Sequence, residues 1–148
     1  MIRKLTENDR TKLMDYISAE PEINLFIIGD VENYGFDNDF QTIWAEFDET
    51  NNMVAVMLKY YTSIIIYSDR KFSVKEFARK IDELECNIIS GKKDIIELFI
   101  NQIEYDEIKY TYFCKLEKLN NIQFNENIDI NRSQVKDVKQ IIELYNNI

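Results

Sequence analysis

Histidine is absent from the 148 residues. That removes Ser-His-Asp and Cys-His catalysis, a histidine general base and the common histidine-containing zinc sites. The two cysteines, Cys86 and Cys114, form no CxxC pair and have no metal-ligand spacing. They read as two buried thiols in a reducing cytosol, not as a disulfide. The sequence shows no signal-like apolar segment at its start and no apolar run near 20 residues, so a cytoplasmic chain that neither spans nor enters a membrane is expected. Lysine and arginine are not gathered into a stripe, and the formal charge is −9. Nucleic acid is therefore excluded as the expected partner, because phosphate binding needs positive charge.

The composition is that of a soluble globular domain with a real core, 45% apolar and 30% charged. The acidic excess serves solubility or attracts a cationic ligand such as a small amine, and both readings stay open. "IRKL" (Ile2 to Leu5) reads as a short strand. Thr6 then caps a helix over 7–18, with Asp9 in the capping-box position and Leu13, Met14 and Ile17 at helical spacing. Pro21 can open a second helix, with Ile23, Phe26, Ile27, Val31 and Tyr34 at helical spacing, close packing at Gly29 and a stop at Gly35.

"TIWAEFD" alternates, with Ile43, Ala45 and Phe47 on one face and Trp44, Glu46 and Asp48 on the other. "ETNN" turns the chain into "MVAVMLKYY", and "SIIIYS" follows as a uniformly apolar strand. "SVKEFARKIDEL" is predicted helical, capped by Ser73, with Val74, Phe77, Ile81 and Leu84 inward. "NIIS" is a short buried strand, and Gly91 in "IISGKKD" reads as a strand-to-helix turn with positive φ before a helix in "KKDIIELFINQI". "EIKYTYFCKLEKL" alternates as a long strand. Residues 119–127 read as a polar linker; Ile128 to Ile130 then reads as a strand, with Ser133 capping a final helix.

The order β-α-α-β-β-β-α-β-α-β predicts an α/β (α+β) fold, a mixed, mainly antiparallel sheet flanked by helices. Together with the phrases "IRKLTENDRTKL", "EPEINLFIIGDVENYGF" and "IISGKKDIIELF", it resembles the GNAT superfamily of N-acetyltransferases. The likeness is to the N-terminal half of two-domain bacterial proteins of that kind. On this reading 1–118 is a GNAT-like domain and 119–127 a linker. The stretch 128–148 is either the start of a second GNAT-like unit, since "IDINRSQVKDVKQIIELYNNI" echoes the beginning of the chain, or a C-terminal β-α appendage.

The resemblance implies acyl transfer from acetyl-CoA to an amine. It places the cofactor pyrophosphate in the turn after the fourth strand, where small residues let backbone N–H groups reach phosphate oxygens. Here that turn is "YSDRKFSVKEF": it has no glycine, Asp69 is negative, Phe72 is bulky, and only Arg70 and Lys71 favour an anion. No cofactor is therefore expected within this chain, acetyl-CoA being implied only for the catalytic half. An acceptor pocket for a small amine is implied at Glu32, Trp44, Glu46, Tyr60 and Tyr61, by cation–π and charge contacts. The expected partner is a C-terminal GNAT-like half or a second copy. The alternative is a non-catalytic acidic module of binding, sensor or immunity type with a degenerate GNAT fold.

Overall fold

The computed structural model describes residues 1–36, 38–115 and 131–146. The chain falls into two units, Met1–Lys115 and Leu116–Ile148. In the first, β1 (Ile2–Lys4), β2 (Gln41–Phe47), β3 (Met53–Tyr60), β4 (Ser63–Ser68) and β5 (Ile88–Gly91) form one sheet in sequential order. The first four strands are antiparallel, and β5 runs parallel to β4. The helices are α1 (Arg10–Ile17), α2 (Leu25–Tyr34), α3 (Val74–Asp82) and the single turn α4 (Lys93–Ile96). This is a mixed, mainly antiparallel α/β fold. No helix among the described residues is long and apolar enough to cross a membrane.

Alternation along the strands builds two cores, one on each face of the sheet. Ile43, Ala45 and Phe47 of β2 and Val56 and Leu58 of β3 meet Leu13 and Ile17 of α1 and Ile27 and Val31 of α2. Ala55 and Met57 of β3 and Ile64 and Ile66 of β4 meet Phe77, Ala78 and Ile81 of α3, with Ile95 and Phe99. At the β2–β3 hairpin, Glu46 pairs with Ala55 and Phe47 with Met53, so Val54 is an extra residue. This bulge breaks the regular pairing.

Several expectations are corrected. The helix expected from Pro21 starts only at Leu25, after a turn in which the Asn24 side-chain amide holds the carbonyl of Ile17 (2.9 Å). Leu25 and Phe26 face solvent as a result. Two glycines depart from their expected roles. Nothing lies within 4 Å of a Cβ built on Gly29, so no close packing occurs there. Gly91 has no positive φ; instead its Cβ would stand 2.5 Å from the backbone oxygen of Ile66, its β4 partner. Gly35 does end α2, at φ 68°.

Residues 107–115 form no strand, despite their alternation. Among the described residues β5 pairs only with β4, and a strand needs a partner to satisfy its N–H and C=O groups. Cys114 is consequently exposed, while Cys86 is half-buried, and both are free thiols. The predicted linker 119–127 and the strand Ile128 to Ile130 lie outside the described residues.

In the second unit the cap is Gln134, not Ser133, because the Asp137 carboxylate accepts the Gln134 N–H (2.8 Å). A 3₁₀ turn, Val135–Asp137, then leads into α5 (Val138–Tyr145). The first unit begins its helices in the same way: Asp9 accepts the Thr6 N–H (2.9 Å), and a 3₁₀ turn, Glu7–Asp9, leads into α1. The caps match, with Thr6 at φ −132°, ψ 176° and Gln134 at φ −117°, ψ 169°. The helix ends match as well, with Ser18 at φ −73°, ψ −5° and Asn146 at φ −73°, ψ −10°.

Candidate functional site

The turn from β4 into α3, residues 69–73, is built around polar groups that satisfy one another. The bulge leaves the Val54 carbonyl 2.6 Å from both the Tyr16 and the Ser68 hydroxyl. Tyr16 in turn accepts the Asp69 N–H (3.3 Å) and stands 3.0 Å from the Asp69 carboxylate. Ser68 accepts the Arg70 N–H (3.2 Å). The Arg70 guanidinium is held on the Asp69 carboxylate at 2.7 and 2.8 Å, which keeps that carboxyl below the usual carboxylate range.

At the start of α3, Glu46 reaches across from β2. Its two oxygens accept the Ser73 N–H (2.8 Å) and the Ser73 hydroxyl (2.6 Å). Ser73 is the cap residue, as expected, but its hydroxyl serves Glu46 and not its own helix. A carboxylate at a helix N-terminus is held both by the free N–H groups and by the helix dipole. The Val74 N–H turns back to the Phe72 carbonyl (3.0 Å). The Phe72 ring packs edge-on against Phe77, 5.3 Å between centroids, and so closes the inner side.

Below this turn, at the ends of β4 and β5, Lys92 pairs with Glu20 (3.1 Å), and Asn24 and Tyr67 are buried nearby. Burial raises the Tyr16 phenol strongly and the Tyr67 phenol to about 12. Both stay protonated at neutral pH and do not act as bases; the Tyr16 hydroxyl donates to the Val54 carbonyl, while the buried Tyr67 hydroxyl has no hydrogen-bond partner among the described residues. Sequence reasoning missed Tyr16, Glu20, Asn24, Tyr67 and Lys92. Their signal is three-dimensional: the two phenols sit in ordinary apolar runs, and their polar partners come from distant segments.

The five residues expected around an acceptor pocket fall into three places. Trp44 and Glu46 line a groove of about 500 Å³ on the α3 side, with Arg3, Ser73, Arg79 and Lys80. The groups meant for a cation there already have partners: the Lys80 ammonium lies 5.5 Å from the Trp44 ring centroid, and Glu46 holds Ser73. Tyr60 and Tyr61 lie at the far end of β3, packed against Tyr34 and Phe40. Glu32 is on the exposed side of α2 and acts electrostatically on Arg10. Comparison with family models, with curated proteins and with solved structures finds no match to this chain.

Proposed function

We propose that Met1–Lys115 is a GNAT-like unit that does not carry acetyl-CoA itself and serves as the non-catalytic half of an acyltransferase-type assembly. The observation that carries the reading is the state of the β4–α3 turn. A diphosphate bound there would need the amides of Asp69, Arg70 and Ser73, each of which already donates to Tyr16, Ser68 or Glu46. It would also meet the Glu46 and Asp69 carboxylates at close range, a like-charge contact that costs several kcal/mol in a partly desolvated site. The order of strands and helices through α4 supports the kinship. The matched starts of α1 and α5 support the reading of 128–148 as the opening of a second such unit.

The role that follows is mechanical: a rigid two-sided sheet that braces a catalytic unit, with transfer from acetyl-CoA to an amine taking place on that other unit. The test is a titration of acetyl-CoA into labelled protein while the backbone amide resonances of 68–74 are followed. They are expected to stay in place at millimolar cofactor. Saturable movement confined to those amides would refute the proposal.

A further inference from the structure

Four aromatic rings meet at the end of the sheet away from the β4–α3 turn. Tyr34 closes α2, Phe40 precedes β2, Tyr60 ends β3 and Tyr61 begins the connection to β4. Ring centroids are 5.3 Å apart for Tyr34 and Phe40, 5.5 Å for Phe40 and Tyr60, and 5.0 Å for Tyr60 and Tyr61; Phe40 and Tyr61 stack at 5.2 Å. The cluster faces solvent, with Tyr61 59% and Tyr34 44% exposed. Exposed aromatics that touch one another leave π faces available to a ligand.

The acids and acceptors around the cluster lack partners. Asp30 lies one helical turn before Tyr34 and shares its face of α2. It is half-buried; its backbone carbonyl accepts the Gln41 side-chain N–H (3.5 Å), but its carboxylate takes no hydrogen bond or ion pair among the described residues, and burial raises its pKa. Gln41, paired with Tyr60 across the ladder and 1% exposed, uses its amide nitrogen on the Gly35 carbonyl (2.7 Å). Its buried side-chain oxygen has no donor. The chain supplies several other aromatic rings with cations: Arg3 and Lys12 on Phe47, Arg10 on Phe36, Lys80 on Trp44 and Lys93 on Tyr110. Among the described residues no such cation lies over these four rings. Lys59, the sequence neighbour of Tyr60, acts instead on Cys86 on the opposite face of the sheet.

Tyr61 adds an independent sign. It is the first residue of the two-residue link between paired Tyr60 and Ser63, and its φ is 50°. That position favours glycine, and a side chain there is strained. A strained tyrosine whose ring projects from the surface marks a place where the ring itself is needed.

We propose that the Tyr34, Phe40, Tyr60 and Tyr61 surface, with Asp30 beside it, binds a small organic ammonium ion. The rings supply cation–π attraction, and Asp30 supplies the opposite charge that the chain leaves uncompensated.

The test compares choline with its neutral carbon isostere, 3,3-dimethylbutan-1-ol, by following the tyrosine ring resonances at constant ionic strength. Choline is expected to give a saturable shift confined to Tyr34, Tyr60 and Tyr61, and the isostere none. Asp30→Asn, which keeps the shape of the side chain, is expected to weaken choline binding about tenfold. Tyr61→Gly, which suits the backbone there, is expected to do the same without unfolding the domain. The absence of a saturable response to choline, an equal response to the isostere, or undiminished binding in Asp30→Asn would overturn the proposal.

Discussion

Two carboxylates, Glu46 and Asp9, hold backbone amides at helix starts, and they show how differently such contacts can be read from sequence. Asp9 lies three residues after the Thr6 that it caps and was legible from spacing alone. Glu46 lies 27 residues from Ser73 and was not. Its alternation placed it on the half-exposed face of β2, where a solvated charge and a ligand-binding charge look the same. Removing it in Glu46→Ala leaves the Ser73 N–H without its acceptor and should cost about 1–2 kcal/mol, read as a lower urea midpoint with unchanged slope. Ser73→Ala and Glu46→Ala combined should cost less than the sum of the two, since they remove the same contact.

Asp9 gives a pH dependence. The Arg3 guanidinium, then the Thr6 N–H, hold its carboxyl down to about 2 from an ordinary 3.8. A folded pKa below the unfolded one means that the contribution to stability is complete above about pH 4 and is lost as pH falls toward about 2. Asp9→Asn should therefore flatten the acid limb of the stability curve in that window and leave its shape near neutrality unchanged, as chemical denaturation at a series of pH values would measure.

At the scale of elements, the periods of the sequence found β2 and α3 with the correct faces inward, and its apolar runs found β3 and β4 as strands. Burial on a pleated strand or a helix stripe follows side-chain direction, which spacing encodes. What spacing did not encode was partnership. Residues 107–115 have the alternation of a strand but pair with no strand among the described residues, and Leu25 and Phe26 have the hydrophobicity of a core but point outward. Glycine roles were equally hidden, since a close approach is a property of the other chain segment. Gly91→Ala should destabilise by about 1–3 kcal/mol, because the new methyl meets the Ile66 backbone oxygen, which cannot move without opening the β4–β5 pairing. Gly29→Ala, in open space inside α2, should stabilise by about 0.5–1 kcal/mol. Thermal midpoints of the two variants moving in opposite directions would check both statements at once.

For the whole molecule, both hydrophobic cores lie within Met1–Lys115. The echo between the two ends of the sequence was legible as a pattern, but its register was not. The structure aligns Thr6 with Gln134, because the acid three residues later selects the cap.

The proposed function requires the β4–α3 turn to be closed to a diphosphate by the chain's own groups, Glu46 above all. Thermal melting with and without acetyl-CoA tests it most directly. A cofactor present at about 100 times its Kd would add about 2.7 kcal/mol, raising the midpoint by roughly 5–10 °C in a domain of this size. The midpoint is expected to stay where it is at millimolar acetyl-CoA; a rise that grows with cofactor concentration would contradict that closure.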